Sequence, residues 1–472
     1  LFPLLITLLV NLSLQYGNSP TSGYGYACYG LFLNSFLQDA IPAGQFGRLA
    51  YWLASTSDAR NMRSETYAIV GLFLHHRQAH LRETLPILLE GYQAGLEAGN
   101  LGFVGHNGNG FCINSLWCGK PLAELETQIR SFRQQFLDCN QLTAANYCSI
   151  YWETTLFLLG NPDAIEFSFS QDIYEGNQVS QSFVTKNVAG VFQFYLFKAF
   201  LRFLIGDMTL ASADIVEARP YIAAGVQTIT EALFYFYDSL IALATLPELG
   251  TELETQRQRV QANQARLHHW AEHAPMNYLH KWQLVEAETC RVLDRKLEAI
   301  ELYDLAIAGG REHQYIQEEA LANELAARFY LDWGKQTIAH TYMLEARYCY
   351  FRWGAIVKVK QLDAQYPQLF KVPGYEGLSD SRTTSKTTTG SSSGAELDLA
   401  TVMKASQAIA TEIVLENLLQ TLMRILLENA GAQTGCLLLH TPSASGELGT
   451  FEIAARSSTN LDLALVAQLI AD

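Results

Sequence analysis

Charged side chains are scarce in this chain, and positive charge is scarcer than negative. Charged residues make up 17% of its 472 residues, with 32 Lys and Arg against 47 Asp and Glu, for a formal net charge of −15. No stretch of basic residues rises above this background. Because a negative field repels polyanions, we expect no binding of nucleic acid or of an anionic membrane surface.

Closely spaced cysteines are missing. No two cysteines have the two-residue gap that lets thiolates share a zinc ion or exchange a disulfide. Scattered cysteines in a long chain are typical of small buried side chains in a reducing compartment, so we expect a cytoplasmic protein. The eight positions are Cys28, Cys112, Cys118, Cys139, Cys148, Cys290, Cys349 and Cys436.

A strongly apolar run at 1–10 (LFPLLITLLV) could be mistaken for a membrane span. It is far shorter than the roughly 20 residues that cross a bilayer. It has neither the basic leader nor the small-residue cleavage site of a secretory signal. We therefore predict no membrane span and interpret residues 1–10 as a buried helix of a truncated chain.

Complete catalytic motifs are absent from the sequence. It has no H-R-D or D-F-G, and so lacks the core motifs of a protein kinase, and it shows no strand-turn-helix context that would present a serine as a nucleophile. The glycine-rich stretch 102–110 (GFVGHNGNG) is not followed by the Lys and Ser or Thr of a phosphate-binding loop. It predicts a glycine-weakened helix or a loop.

Two histidine pairs have helical spacing. His76 and His80 are four residues apart, as are His269 and His273, so a helix would turn each pair to one side. A zinc peptidase of the H-E-x-x-H type needs Glu directly after the first His, but Trp270 follows His269. Two ligands do not close a tetrahedral site. Solvated or core histidines are therefore the default interpretation.

Acidic pairs give no stronger signal. Glu318 and Glu319, and likewise Glu286 and Glu288, lie in helical stretches, where most carboxylates are solvated or paired with Lys and Arg. We predict no catalytic, cofactor-binding or metal-binding residue in this chain. The sequence leaves open any role of the histidine clusters at 75–80 and 268–273.

Helical periodicity dominates residues 1–373. Apolar residues recur every three and four positions and make up 49% of the whole chain, which predicts a mainly α fold. Two segments 40 residues apart share a small-large-small rhythm that is typical of tetratricopeptide repeats. The residues are Ala299, Tyr303 and Ala306 in one segment and Ala339, Met343 and Ala346 in the other. Residues 1–373 are therefore predicted to form an α-solenoid of tetratricopeptide-like hairpins, with a turn at Gly334.

The character of the sequence changes after this region. Residues 374–395 are rich in Ser, Thr and Gly, which predicts a flexible linker. Residues 396–430 form a long amphipathic run, predicted to be a signalling helix that continues into the first helix of the next domain. In 431–472, strands are predicted at 435–440 and 451–455, joined by a loop, so an α+β domain begins here.

Two stretches near this boundary resemble a known family. Residues 398–409 (DLATVMKASQAI) and 428–433 (ENAGAQ) are similar to the entry of the GAF domain in large, chiefly cyanobacterial, hybrid kinases. The repeats at 299–307 (AIELYDLAI) and 319–327 (EALANELAA) resemble the last repeats before that family's linker. Residues 11–19 (NLSLQYGNS) resemble its early repeats, so the resemblance spans essentially the whole chain.

The resemblance implies a position inside a larger protein. Such proteins carry a serine/threonine kinase and an ATPase module before the helical repeats, and a GAF domain and a sensor histidine kinase after them. Their ATP and magnesium sites would lie outside this chain, and residues 431–472 would be a truncated GAF domain whose ligand is unknown. In this family the stretch corresponding to 102–110 is helical, and the glycines here depart from that pattern.

Three functions are compatible with these observations. The chain is either a regulatory and scaffolding segment of such a kinase, a stand-alone tetratricopeptide-like scaffold that binds peptides, or an all-helical enzyme. The first is favoured, with protein partners on the helical array and a homodimer formed through the apolar seam of 396–430.

Overall fold

A computed structural model describes residues 2–37, 39–56, 62–161, 174–175, 178–179, 187–246, 251–370, 434–441 and 450–458. The chain divides into two compact units, Leu1–Glu376 and Gly377–Asp472. The predicted linker at 374–395 and signalling helix at 396–430 lie outside the described residues.

The first unit is helical, which confirms the predicted mainly α class. Short turns join most helices, and a hydrophobic core of Leu, Phe, Tyr and Ala side chains runs from Leu81 to Leu369. The helices are Phe2–Tyr16, Ser22–Phe32, Ala40–Thr56, Arg63–Ile69, Thr84–Ala98, Leu101–Trp117, Leu122–Asp138, Leu142–Leu159, Val188–Ile205, Met208–Ala218, Ile229–Ala244, Thr251–His273, Pro275–Val292, Lys296–Glu312, Ile316–Asp332, Gln336–Trp353, Ile356–Gln365 and Pro367–Phe370.

Irregular helical turns occur between residues 33 and 224 of this unit. Two π-helical turns, Leu33–Leu37 and Val70–Leu74, extend α-helices by one widened turn each. Short 3₁₀ helices occupy His75–Arg77, Leu81–Glu83 and Arg219–Ala224. Widened turns of this kind are frequent at functional sites.

The small-large-small residues of the predicted repeats are buried. Tyr303 and Met343 lie between helices, and the four alanines around them are almost completely removed from solvent. The alanines allow the backbones of a helical hairpin to approach closely, and the larger residue fills the space that remains. The sequence rhythm therefore marked the packing face of both helices.

One turn geometry recurs between consecutive helices. A residue with positive φ ends the helix, and the next N–H donates to the carbonyl five residues earlier in a Schellman turn. The positive-φ residues are Asn140 (56°), Asp294 (55°), Gln314 (60°) and Gly334 (73°). The closing bonds, each 2.8 Å long, run from Gln141 to Phe136, Arg295 to Cys290, Tyr315 to Gly310 and Lys335 to Tyr330. The predicted turn at Gly334 is confirmed.

Gly334→Ala should lower the free energy of unfolding by about 1 kcal/mol, because an L side chain at positive φ is strained. A Cβ added there meets no atom within 4 Å, so the cost is one of backbone conformation only. Gly102→Ala is the matched control, since Gly102 lies inside the helix Leu101–Trp117 and its added Cβ lies 3.8 Å from the nearest atom. At position 102, alanine should leave the free energy of unfolding unchanged or raise it by up to about 1 kcal/mol. Urea denaturation measures both, and equal effects would contradict this account.

Contacts between residues distant in the sequence depart from the predicted solenoid, in which each repeat contacts only its neighbours. The Asn277 amide accepts from the backbone N–H of Leu81 over 2.9 Å and donates to the carbonyls of His76 and Ala79 over 2.7 Å. Gln317 donates to the carbonyl of Trp117 over 2.7 Å. These bonds join helices about 200 positions apart and close the array on itself.

The first helix, Phe2–Tyr16, confirms the predicted helix but not its burial. Only Ile6, Val10 and Ser13 are buried, while Leu4 is 73% exposed and several other leucines face outward. The interpretation as a buried helix is therefore wrong for one of its two faces.

Two strand pairs bear on the other expectations. Tyr174–Glu175 and Gln178–Val179 form a short antiparallel pair, which the prediction of helix throughout residues 1–370 missed. In the second unit, Thr434–Thr441 pairs antiparallel with Thr450–Ser458, with an irregularity between Leu437 and Leu438. This confirms the predicted hairpin. Its assignment to the opening of a GAF domain stays a prediction.

One helix in the described part of the chain, Val188–Ile205, is long and apolar enough to cross a membrane. Of its 18 residues 61% are buried inside the structure, as in the core helix of a globular protein.

Candidate functional site

A cleft of about 540 Å³ opens in the first unit beside the helix Thr251–His273. The π-turn Leu33–Leu37 contributes Asn34 to its wall, and the loop before the helix Ile229–Ala244 contributes Gln227. The other polar or aromatic side chains that line it are Ser35, Arg77, Glu231, Arg266, His269, Trp270 and His273.

A strained loop residue fixes one wall of this cleft. Gln227 has a φ of 73°, which is unusual for a residue with a side chain. Its backbone N–H donates to Glu231 Oε2 over 2.8 Å, and its carbonyl accepts from His76 Nε2 over 3.0 Å. Its side-chain oxygen accepts from the Asn34 amide. Together these hydrogen bonds stabilise the strained backbone conformation of Gln227.

Arg77 is buried at the base of the cleft and is 4% exposed. Its Nη2 donates to Glu231 Oε2 over 3.0 Å, and its guanidinium carbon lies 4.4 Å from the centre of the Trp270 ring. Among the described residues Nε and Nη1 of Arg77 have no hydrogen-bond partner. Both atoms are also shielded from solvent, so Arg77 acts on the cleft through its positive charge.

His76 lies behind Arg77, and both of its ring nitrogens are engaged. Nε2 faces the carbonyls of Leu72 and Gln227 at 3.1 and 3.0 Å, which can only accept, so Nε2 carries the proton. Nδ1 then accepts from the Tyr278 hydroxyl over 2.6 Å. Burial, reinforced by the positive charge of Arg77, lowers the pKa of His76 to about 3. The ring is neutral at pH 7 and has no nitrogen free for a metal ion.

His80 does not share a helical face with His76. The chain leaves the 3₁₀ turn His75–Arg77, and His80 caps the next one, Leu81–Glu83. Its Nδ1 accepts from the backbone N–H of Arg82 over 3.0 Å, and its Nε2 lies 2.8 Å from the carbonyl of His313. The spacing of four residues therefore does not create a metal-binding pair here.

The second histidine cluster does come together. His269, Glu272 and His273 occupy the last turn of the helix Thr251–His273, and one potential ligand atom from each lies within 4.8 Å of the other two. His269 Nδ1 is 3.7 Å from Glu272 Oε2. The order H-x-x-E-H, which inverts H-E-x-x-H, was the signal available in the sequence. The direct order H-E-x-x-H alone does not reveal it.

The acidic pairs are mostly held by cations or donors. Glu318 is buried, with Lys281 Nζ 2.7 Å away and His280 Nε2 in contact. Burial alone would raise the pKa of its carboxyl, but these two partners outweigh burial and hold the pKa below its usual value. Glu319 accepts from Arg311 Nε over 2.7 Å. These two carboxylates therefore take part in structural ion pairs.

Glu288 and Glu286 are engaged as well. Glu288 accepts from the Tyr303 hydroxyl and from Arg291 Nε over 2.8 Å, and Glu286 accepts from the Gln264 amide over 2.8 Å. The interpretation of these acids as paired residues is confirmed for Glu288, whose partner is a cation. For Glu286 the partner is a neutral amide.

The glycine-rich stretch is a helix and not a loop. Residues Leu101–Trp117 form it, beginning at the N-cap Asn100. A Cβ at Gly108 would lie 2.6 Å from the Phe136 ring, and one at Gly110 would lie 2.6 Å from the Leu72 side chain. The glycines therefore admit close neighbours, and packing rather than phosphate binding explains them.

Six of the seven cysteines whose side chains the structure describes are buried, as predicted for small apolar side chains, and all seven are free thiols. Burial raises the pKa of the Cys28 thiol to about 11 and that of the Cys349 thiol to about 12. Such thiols stay protonated at neutral pH and are poor nucleophiles.

Comparison with known proteins gives one short similarity. No protein-family model matches the chain. A segment of 59 residues is 42% identical to the hybrid signal transduction histidine kinase G of Dictyostelium discoideum. The match covers 12% of this chain and 2% of that protein. It supports a relationship to signal-transduction kinases.

Proposed function

We propose that this chain is a regulatory and scaffolding segment of a multidomain signal-transduction kinase and has no catalytic site of its own. The observation that carries the proposal is the 42% identity over 59 residues to a hybrid histidine kinase. The described acids and histidines agree with it, because most are tied to cations or backbone groups rather than directed at a substrate.

The finer assignment extends the same proposal. Residues 1–373 would be the helical-repeat region of a cyanobacterial-type hybrid kinase, and 431–472 the start of its GAF domain. The antiparallel hairpin Thr434–Thr441 and Thr450–Ser458 suits an α+β opening. A cytoplasmic location, a homodimer through 396–430, and ATP and magnesium bound elsewhere in the protein belong to this assignment.

The first helix offers a surface for protein contact. Leu4, Leu8 and Leu12 are 73%, 54% and 44% exposed and lie four residues apart, on one side of the helix Phe2–Tyr16. A contiguous exposed apolar stripe is typical of a site that another polypeptide covers. In a larger kinase this stripe would connect the helical unit to a neighbouring module.

Autophosphorylation of the full gene product tests the proposal. Leu8→Glu combined with Leu12→Glu should change the rate of autophosphorylation by about fivefold or more, the usual range for coupled sites. The rate is measured in the presence of magnesium and ATP. Leu210→Glu is the matched control, because Leu210 is also an exposed helical leucine, at 44%. It should leave the rate unchanged.

Two results would overturn the proposal. One is ATP turnover or phosphate transfer by residues 1–472 alone. The other is a gene product without kinase modules, which would favour the stand-alone peptide-binding scaffold. An unchanged autophosphorylation rate in the double variant would show that the first helix is not part of the regulatory surface.

A further inference from the structure

We propose that His269, Glu272 and His273 bind a divalent transition-metal ion of the zinc class at the edge of the cleft. The three residues follow one another at positions i, i+3 and i+4 of a single helix. Their candidate ligand atoms all lie within 4.8 Å of one another, so small side-chain rotations would bring all three to one ion. Two imidazoles and one carboxylate form a donor set that Zn²⁺ and its neighbours in the first transition row accept.

The cluster has no competing cation. Glu272 pairs only with His268 and His269 among the described residues, and no Lys or Arg neutralises its carboxylate there. The rings of His269 and His273 are 5.3 Å apart and nearly perpendicular. Three ligands on one stable helix are already positioned, so binding needs little reorganisation of the chain.

A second cluster in the same unit is a poor candidate for a metal-binding site. Glu319, Glu345 and Cys349 also lie within 4.8 Å of one another. There Arg311 contacts Glu319 over 2.7 Å and Glu345 over 3.2 Å, so both carboxylates already have a cation. Burial raises the pKa of the Cys349 thiol to about 12, and a thiol must lose its proton to bind a metal ion.

The metal site and the cleft share residues. His269 and His273 line the cleft together with Arg77. Three protein ligands leave at least one position of a tetrahedral ion for water or for an added ligand. An anionic molecule in the cleft would then meet the ion and the positive charge of Arg77. The proposal is limited to binding by these three ligands; His268 Nδ1 lies 3.6 Å from Glu272 Oε1 but is not one of the three mutually close residues.

Zinc titration of the complete, tag-free chain tests the site. After removal of metal by chelation, isothermal titration calorimetry with Zn²⁺ should show one saturable equivalent, and Co²⁺ should give the visible absorption of a nitrogen- and oxygen-ligated ion. His269→Ala combined with His273→Ala should weaken Zn²⁺ binding by about tenfold or more, and Glu272→Gln should weaken it as well.

His340→Ala is the matched control, because it removes an exposed histidine from another helix. It should leave the affinity unchanged, and circular dichroism should show that every variant keeps its helix content. The proposal is wrong if the wild-type chain takes up no stoichiometric Zn²⁺, or if the double variant binds Zn²⁺ as the wild type does. Since the readout is binding alone, either result leaves the kinase proposal standing.

Discussion

Glu324→Ala is expected to lower the free energy of unfolding by about 3–5 kcal/mol, the range for breaking a buried ion pair from one side. Glu324 Oε1 lies 2.7 Å from Lys358 Nζ and also contacts Arg328. Its Oε2 accepts from the Tyr350 hydroxyl over 2.9 Å. Removing the carboxylate would leave two cations in the core without a counter-charge. Urea denaturation measures the loss.

Two further variants make this expectation specific. Glu298→Ala removes an exposed ion pair with Arg295 and should leave the free energy of unfolding nearly unchanged, because solvent screens such pairs. Adding Lys358→Met to Glu324→Ala should recover part of the lost stability, because one of the two stranded charges is then gone. If Glu324→Ala costs no more than Glu298→Ala, the buried network does not stabilise the unit as described.

His76 should make the unit sensitive to mild acid. Burial and Arg77 lower the pKa of His76 from 6.5 to about 3 in the folded state. Below pH 6.5 the unfolded chain therefore binds a proton that the folded chain does not, so stability falls as the pH falls. Each pH unit costs about 1.4 kcal/mol, so His76 alone should remove about 2 kcal/mol between pH 6.5 and pH 5.

A histidine substitution separates this contribution from the others. Burial also lowers the pKa of His280, to about 4, and the pKa values of His75 and His80 in the same direction. His76→Gln should therefore be less stable at pH 7 but lose less stability on acidification than the wild type. The comparison is urea denaturation at about pH 7, 6 and 5. His340→Gln, an exposed control, should keep the wild-type slope, and an equal slope in His76→Gln would contradict the assignment.

Local features of the fold were predictable because they depend on nearby residues. The three- and four-residue periodicity specifies helices, and the alanines around Tyr303 and Met343 mark the faces that pack. Gly334 marked its turn because glycine readily adopts positive φ. Gln314 and Asp294 adopt the same turn without glycine, so composition alone did not reveal that the turn is repeated.

The candidate site was harder to predict because its partners are far apart in the sequence. Arg77 meets Glu231 from 154 positions away, and His76 meets Tyr278 from 202 positions away. The local sequence pattern does not predict which acidic residue pairs with a buried cation. The strain at Gln227 is also set by its neighbours in space. The His269–His273 cluster is the exception, since a single helix places all of its ligands.

The contacts of Asn277 limit how this protein can change in length. Its side chain serves the backbone of His76, Ala79 and Leu81 simultaneously. Inserting or deleting one hairpin between these two parts of the chain would carry the amide away from all three groups. An open stack of repeats tolerates such changes. In this protein the contacts of Asn277 with residues 76–81 fix the number of helices between them.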